Sequence, residues 1–242
     1  GNYEIPNVAA GDFEVAAYNP DLGLGKTAPQ QAPVVVKPEQ VASAPEVVVI
    51  PLEPAITAIR IASASEATDN AAPGTELDLA GKDFGFARGA RFEVLFAGAS
   101  GSVAASKAQR LSDELIRVQV PAGAQNGDLV VATGGGRSTG KAIRILKSFT
   151  LTRASETIVT ALPFDLRFYV QAKDTADADV AEDTFGLEIR KHRPNIVWST
   201  DSALIKISPA GVVTVLGPGT AVVTGKVGSL PPRSITLTIQ AI

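Results

Sequence analysis

The sequence predicts an all-β protein in which an extended, proline-rich N-terminal arm precedes two tandem β-sandwiches. Three observations support this class: Val, Ile, Thr and Gly are plentiful, short alternating segments recur, and no segment has a convincing helical period. The 242 residues, 45% of them hydrophobic and 19% charged, suffice for two ordinary folded domains. We therefore expect residues 1–55 to form the arm, residues 56–147 the first sandwich and residues 148–242 the second.

The arm stands out by its proline content and its charge. Residues 1–54 hold eight of the 16 prolines, and their two Lys and seven Asp or Glu give a net charge of −5, whereas the whole chain carries −3. Repeated proline fixes φ and removes amide donors. We therefore expect extended or polyproline backbone here, without a compact sheet.

Two similar phrases in the arm, APVVVKPE and APEVVVIPLEP, each place a Val triplet between prolines. Such segments have strong β propensity and free edges, which suits them to pairing with the edge of another sheet. One interpretation is an arm that docks on other protein subunits of a larger assembly, and the other is a solvated linker with incidental aromatic residues. The candidate docking residues are Tyr3, Phe13, Tyr18, Val34, Val35, Val36, Val47, Val48 and Val49.

Residues 56–147 consist of short alternating segments separated by turn signals. The segments AITAIRIAS, GTELDLAGKDFG, ARFEVLFAG, LIRVQVPAG, GDLVVATGGG and GKAIRILKSF recur at intervals of about 10–15 residues, which is typical of an antiparallel sandwich. Alternation places every second side chain on the buried face. The inward residues that it predicts are Leu77, Leu79, Phe92, Val94, Phe96, Ile116, Val118 and Val120.

This first unit resembles a known domain family. The phrase PGTELDLAGKDFG, followed by RFEVLFAG and LIRVQVPAGAQNGDLVV, resembles the IPT/TIG immunoglobulin-like domain, with the turn through Gly81, Phe84 and Gly85 in its expected place. The resemblance implies an immunoglobulin-like sandwich with Phe84 in its structural core. The sequence departs from the family at the acidic, Ala-rich insertion SASEATDNAAPG, where family members usually have a short turn.

The second unit contains the segments FTLTRAS, LPFDLRFYVQAKD, TVLGPGTAVVTGKVG and SITLTIQAI. Its phrases WSTD, GVVT and GPGTA are similar to the signature of the group 2 bacterial immunoglobulin-like domain. The resemblance implies that Trp198 is the core anchor between two sheets. It also implies that Gly211 and Gly219 take turn conformations closed to residues with a Cβ.

The phrase GGGRSTGKA at 134–142 nearly spells a phosphate-binding loop. Such a loop needs Ser or Thr after its Lys and a following helix whose amides face the phosphate. Here Ala142 follows Lys141, and AIRIL alternates as a strand. The phrase therefore predicts a Gly-rich hairpin between the last two strands of the first sandwich.

Two charged clusters lie in the second unit. The run KDTADADVAEDT offers Asp174, Asp177, Asp179 and Asp183 as weak candidate calcium ligands, but it lacks the Gly and terminal Glu of the helix-loop-helix signature, which favours a solvated hairpin tip. The phrase RKHRP carries the only histidine, His192, without Cys or an evident nucleophile beside it. The sequence thus predicts no catalytic residue and no cofactor.

Several classes are disfavoured by composition. The absence of Cys excludes disulfides and thiolate metal sites, and a charge of −3 gives no electrostatic reason to expect nucleic acid. No apolar run approaches the roughly 18 residues of a membrane span. The first 30 residues lack a secretory signal, so either a signal was removed before this sequence begins or none existed.

Three functional hypotheses from different classes follow. The first is a bacteriophage virion component, a capsid decoration or tail protein whose arm docks on the assembly while the sandwiches project outward. The second is a secreted or cell-surface bacterial module for adhesion or carbohydrate binding. The third is a noncatalytic accessory part of a larger enzyme system. All three describe a noncatalytic protein, because the sequence offers no catalytic candidate. The choice among them stays open, because domain type alone warrants little about function.

Overall fold

The computed structural model describes residues 4–13, 34–42, 51–62, 64, 66–85, 91–151, 155–160, 164–167, 170–180 and 195–241. These residues form strands, turns and irregular backbone, and none of them is helical. Seven candidate residues lie outside the described ranges, namely Tyr3, Tyr18, Val47, Val48, Val49, Asp183 and His192.

The strands are short, as the turn signals predict. The arm and the first sandwich contain β1 (Gly11–Phe13), β2 (Val34–Val36), β3 (Ala55–Ile61), β4 (Asn70–Ala71), β5 (Glu76–Lys82), β6 (Phe92–Gly98), β7 (Gly101–Ala104), β8 (Ala108–Ser112), β9 (Leu115–Gln119), β10 (Gly127–Thr133) and β11 (Gly136–Arg137). The remaining strands are β12 (Lys141–Leu151), β13 (Ser155–Thr160), β14 (Phe164–Arg167), β15 (Val170–Asp174), β16 (Asp179–Val180), β17 (Val197–Thr200), β18 (Ile205–Ile207), β19 (Val212–Val215), β20 (Gly219–Lys226) and β21 (Arg233–Ala241).

The first sandwich has immunoglobulin topology. One sheet has the order β3-β5-β9-β8, and the facing sheet contains the order β12-β10-β6-β7. When the strands are lettered along the chain, these two sheets have the orders A-B-E-D and G-F-C-C′, which is the immunoglobulin arrangement. The predicted inward residues are buried in the core between the sheets, except Phe92, which is only partly buried at its edge.

The second sandwich follows the same plan. One sheet has the order β13-β21-β20-β17, with β13 parallel to β21, and the other has the order β14-β19-β18. These correspond to strands A′, G, F and C against B, E and D. Its core consists of Ile158, Ile205, Val213, Val215, Ala221, Val223, Ile235, Leu237 and Ile239. The all-β class with two tandem immunoglobulin-like sandwiches is confirmed.

A single strand joins the two sandwiches. The first part of β12, residues 141–143, pairs with β10 of the first sandwich, and residues 146–151 pair with β15 of the second unit. The predicted domain boundary after residue 147 therefore falls inside a strand. As far as Leu151, the connection between the sandwiches is therefore hydrogen-bonded strand.

The arm differs from the expectation of extended backbone without a sheet. Gly11–Phe13 (β1) pairs antiparallel with Val34–Val36 (β2), and the two strands form a small sheet of their own. This expectation was wrong for these residues because three proline-free positions on each side are enough for a short ladder. The Val34 triplet thus pairs with Gly11–Phe13 within the arm, and its docking on another subunit stays a prediction.

Candidate functional site: the junction between the sandwiches

The connection between the sandwiches has a hydrophobic core of its own, which we call the junction cluster. Leu146 and Phe149 of β12, each 1% exposed, lie at its centre. Residues from both sandwiches complete it. Its buried members are Ala72, Leu146, Phe149, Val170, Ala172, Val180, Ile196 and Val227, and Leu151, Trp198 and Leu230 pack against it.

The acidic, Ala-rich insertion of the first unit supplies one side of this junction. Its residues Asn70 and Ala71 form β4, which pairs in parallel with Arg144 and Ile145 of β12. Further along, the carbonyl of Pro73 accepts two hydrogen bonds from Ser229 of the second sandwich, from the amide at 2.7 Å and from Oγ at 2.9 Å. The segment in which the sequence departs from the IPT/TIG pattern is therefore the segment that contacts the second sandwich.

A partly buried ion pair joins the two units beside the junction cluster. Arg144 donates from Nε and Nη2 to Oδ2 of Asp174, at 2.9 and 2.5 Å, and the Asp174 side chain is only 3% exposed. The other carboxylate oxygen, Oδ1, accepts the amides of Ala176 and Ala178 at 2.9 and 3.0 Å. Both oxygens of the carboxylate are thus hydrogen-bonded, which a buried charge requires.

Neutral hydrogen bonds surround this ion pair. The backbone N–H of Asn126, in the first sandwich, donates a hydrogen bond to Oγ1 of Thr175 at 2.9 Å. The side-chain Oδ1 of Asn126 accepts a hydrogen bond from the backbone N–H of Ile145 at 2.8 Å. Thr175 in turn donates its amide to the carbonyl of Ile145 at 2.9 Å. We call the set Asn126, Arg144, Ile145, Asp174 and Thr175 the junction clasp, because it binds strands of both units to one another.

The environment of Asp174 sets its protonation. Burial of the carboxyl acts to raise its pKa, whereas the hydrogen bond from Arg144 acts to lower it. Further hydrogen bonds lower it as well, from Ala178, Asn126 and Ala176. Together the hydrogen bonds outweigh burial and hold the pKa of Asp174 below its ordinary value, so the clasp contains a carboxylate at neutral pH.

The two other acidic candidates that the structure describes, Asp177 and Asp179, do not converge with Asp174. Asp177 pairs with Lys147 at 2.8 Å, and Asp179 pairs with Lys173 at 3.3 Å, in exposed positions. Among the residues that the structure describes, no group of three His, Cys, Asp or Glu could hold a metal ion. The expected hairpin is present as β15 and β16. The expectation of a solvated tip was wrong for Asp174, because its side chain is buried and forms an ion pair with Arg144.

Trp198 lies between two cores and not in the middle of one. It is partly buried and packs against both the second-sandwich core and the junction cluster. A Cβ on Gly211 would lie 2.8 Å from Nε1 of the indole, and one on Gly225 would lie 3.1 Å from Cζ3. Gly211 also has φ +76°, which disfavours a side chain. Gly219 has φ +135°, at the start of β20 beside Leu204.

Phe84 lies in the first-sandwich core, away from the junction. It is fully buried. Three hydrogen bonds hold the turn that carries it: the Phe84 amide donates to the carbonyl of Asp113 at 3.0 Å, the Gly85 amide donates to Oδ1 of Asp113 at 2.5 Å, and Arg110 donates from Nη1 to the Phe84 carbonyl at 2.9 Å. Its geometry is that of a packing residue.

The Gly-rich phrase at 134–142 forms the hairpin that the sequence predicts. β11 pairs back on β10, and β12 follows it as a strand and not as a helix. The hydroxyl of Ser138 accepts the amide of Val131 at 2.9 Å inside the hairpin. No phosphate-binding helix end therefore exists in this fully described segment.

The arm enters the first sandwich at the pole remote from the junction. β3 begins at Ala55 opposite Lys82 and ends at Ile61 opposite Leu77, which lies next to the junction segment. Within the arm, Phe13, Val34 and Val36 are partly buried, and Val35 is 54% exposed. No described arm residue belongs to a hydrophobic cluster of either sandwich.

Of the junction clasp only Asp174 was among the sequence candidates, as a weak calcium ligand, and the other four residues were not. Asn126 and Arg144 lie in strands and turns whose alternation predicts only a sandwich, and their partner Asp174 lies 30 residues beyond Arg144. One signal was available: the apolar residues of GKAIRILKSFTL continue through the predicted boundary, with one break in the alternation at Ile145 and Leu146. The other was the insertion itself, since its run of Ala residues needs a surface to cover it.

Comparisons with known proteins give no family. No protein-family model matches the chain, and no curated protein matches it. The assignments to the IPT/TIG and group 2 families therefore stay predictions. No membrane-crossing helix occurs among the described residues.

Several solved structures are similar at low identity. SGBP-B from a xyloglucan utilization locus of Bacteroides uniformis is 16% identical, covers 77% of this chain and has a TM-score of 0.29. This chain covers 49% of that protein, about half of its length. Domains 4 and 5 of the S-layer protein SbsC are 14% identical over 61% of this chain and 95% of that chain, with a TM-score of 0.30. Functional inference therefore has to come from the residues of this chain.

Proposed function

We propose that this chain is a noncatalytic structural module whose two sandwiches form one stiff spacer, with an attachment arm at one pole. Such a module holds a binding surface at a fixed distance and orientation from the site where the arm docks. The observation that carries the proposal is the junction. There a cluster of buried residues from both sandwiches and the hydrogen bonds of Pro73 with Ser229 connect the two sandwiches, beside the partly buried ion pair of the junction clasp.

Stiffness follows from the physics of the connection. Two domains joined by an exposed linker move independently, because few contacts oppose their rotation. Here a rotation would break the hydrogen bonds between Pro73 and Ser229 and expose Leu146 and Phe149 of the junction cluster to water. Exposing side chains of this size costs about 1.5–3 kcal/mol each. The sandwiches therefore keep one relative orientation.

The arm supports the attachment end of the proposal. It carries −5 of charge, the remainder of the chain carries +2, and its described apolar residues are left outside the cores. Two paired strands of three residues are only marginally stable by themselves. Burial against a protein partner with a complementary basic surface would stabilise them.

The spacer can be tested by distance measurement. The chain has no native Cys, so spin labels can be placed at Gln109→Cys in the first sandwich and Thr238→Cys in the second, both exposed. We expect a single narrow distance distribution, as narrow as that of the control pair Gln109→Cys and Glu93→Cys within one sandwich. A distribution several times broader than the control would contradict the spacer.

A second experiment distinguishes the two locations proposed for the spacer, the virion and the bacterial cell surface. The virion hypothesis predicts that antibodies to the chain label purified particles and that the chain copurifies with capsid or tail proteins. The cell-surface hypothesis predicts that protease added to intact bacteria removes the chain. A chain found only in the cytoplasm, bound to neither particle nor envelope, would contradict both settings.

A further inference from the structure

The junction clasp contains the only asparagine of the chain that is followed by glycine, in the pair Asn126 and Gly127. This pair favours spontaneous deamidation, because a glycine leaves its backbone nitrogen unhindered by a side chain. The fold requires glycine at this position: φ is +149°, and an added Cβ would lie 2.6 Å from Cβ of Ala97. A chemically labile pair is therefore built into the junction, beside the partly buried ion pair of Arg144 and Asp174.

Deamidation converts the side-chain amide into an acid in two steps. In the first, the backbone nitrogen of Gly127 gives its proton to solvent and attacks Cγ of Asn126. The new bond between this nitrogen and Cγ forms while the bond between Cγ and Nδ2 breaks, and ammonia leaves. In the second step, water opens the resulting succinimide ring at either carbonyl. The product at position 126 is an aspartyl or an isoaspartyl residue, and water is the only co-reactant.

Three hydrogen bonds of the clasp oppose the first step. Oδ1 of Asn126 accepts the backbone N–H of Ile145 at 2.8 Å, and the side-chain amide donates to Asp174. The backbone N–H of Asn126 donates to Oγ1 of Thr175 at 2.9 Å. Attack requires Cγ to be aligned with the nitrogen of Gly127, so the side chain has to leave its partners on the other strands. The reaction rate then follows the fraction of molecules in which the clasp is open.

The product cannot rebuild the clasp. An aspartyl residue at position 126 places a second carboxylate where an amide donates to Asp174, so two like charges face each other in a partly buried site. An isoaspartyl residue lengthens the backbone by one carbon next to Gly127, which pairs with Ile143 at the start of β10. A molecule that has reacted therefore keeps a weakened junction.

From these contacts we propose that Asn126 is a modification site gated by the junction clasp: the closed clasp protects its amide, and opening of the clasp permits an irreversible deamidation that loosens the junction. The gating concerns the clasp alone. The effect of the product on the orientation of the two sandwiches rests on the proposed spacer. The junction would then record its own opening, because deamidated molecules accumulate only where the clasp has opened.

The gating is tested by the rate of deamidation in the purified full chain at mildly alkaline pH. Mass spectrometry of the peptide that contains position 126 follows the change from amide to acid. Asp174→Ala removes the acceptor of the side-chain amide, and Thr175→Val removes only the acceptor of the backbone N–H. The matched control is Asp177→Ala, which breaks the exposed pair with Lys147 and leaves the clasp intact.

We expect deamidation to be at least about tenfold faster in the Asp174 variant than in the unsubstituted protein, since a loss of about 1.4 kcal/mol in clasp stability raises the open fraction tenfold. The Thr175 variant should react at an intermediate rate, and the Asp177 variant at the unsubstituted rate. If the Asp174 variant does not fold, the Thr175 variant makes the comparison. Equal rates in all proteins, or a faster reaction in the unsubstituted protein, would overturn the gating.

The effect of the product is tested with Asn126→Asp, which installs the aspartyl form directly. Spin labels at Gln109→Cys and Thr238→Cys should give a distance distribution several times broader in this variant than in the chain that keeps Asn126. An equally narrow distribution in both proteins would overturn the loosening. A broad distribution in both would overturn the spacer, whereas a clasp-dependent rate of deamidation would still support the gated site.

Discussion

The first sandwich is connected at both of its poles, and the two connections are built in opposite ways. At the junction, the backbone of β12 is paired through both units, and Leu146 and Phe149 are 1% exposed. At the arm, two strands of three residues pair only with each other, and Val35 and Val41 are 54% and 101% exposed.

The contrast shows what turns a connecting segment into rigid structure. Both segments are rich in small apolar residues, and both carry acidic groups. The junction buries its apolar side chains against both sandwiches and pairs its carboxylate Asp174 with Arg144. Among the described arm residues only Pro54 is buried, and none of them belongs to the core of either sandwich or to the junction cluster.

Truncating one aromatic residue in the junction and one in the arm should lower the free energy of unfolding by very different amounts. Phe149→Ala removes a buried ring from the junction cluster and should lower the free energy of unfolding by about 3–5 kcal/mol. Phe13→Ala in the arm should lower it by no more than about 0.5 kcal/mol in the isolated chain. Urea unfolding followed by the fluorescence of Trp198, the only Trp, measures both. Equal losses would show that the arm is as well packed as the junction.

The junction clasp should depend on its buried carboxylate. Asp174→Ala leaves Arg144 without its partner in a half-buried position and should cost about 2–3 kcal/mol, reduced from the fully buried case by the solvent that reaches Arg144. The matched control is Asp177→Ala, whose exposed pair with Lys147 should contribute at most about 0.5 kcal/mol. The Gln109–Thr238 spin-label distribution should broaden only in the Asp174 variant. A broadening in the control instead would assign the rigidity to the exposed pair.

The close approach of the two units at Gly228 should not tolerate a side chain. A Cβ there would contact the carbonyl of Pro73, and φ is +50°. Gly228→Ala should cost about 2 kcal/mol, since both strain and contact oppose it. Gly101→Ala is the control: φ is +126° with nothing within 4 Å of its Cβ, so only strain of about 1 kcal/mol remains. An equal loss of unfolding free energy in the two variants would mean that the backbone around Gly228 shifts to accommodate the added methyl group.

Acid should weaken the junction and spare the arm. The pKa of Asp174 in the folded state lies below its unfolded value, so the carboxylate stabilises the fold above the ordinary pKa of Asp and loses this contribution as the pH falls through the folded-state pKa. We expect no change between pH 8 and about 5 and a fall in unfolding free energy below about pH 4. The Asp174→Ala variant should show a smaller fall. An identical acid dependence in both proteins would assign the effect to other carboxyls.

Much of the fold could be predicted from alternation. Leu77, Val94 and Ile116 are inward because a strand places every second side chain on one face, whatever its partners are. The arm's small sheet was missed because its two strands are 20 residues apart and proline lies between them. The location of Trp198 was predicted only to the level of packing, since sequence does not tell which of two adjacent cores covers a ring.

Local periodicity and composition are enough to predict the all-β class, the two sandwiches and the absence of thiol chemistry. The fold was needed to show that β12 runs on past the predicted boundary, that the Ala-rich insertion faces the second unit and that Asp174 is buried beside Arg144. Each of these features depends on contacts between residues far apart in the chain, such as Pro73 with Ser229, and such contacts leave no local pattern in the sequence.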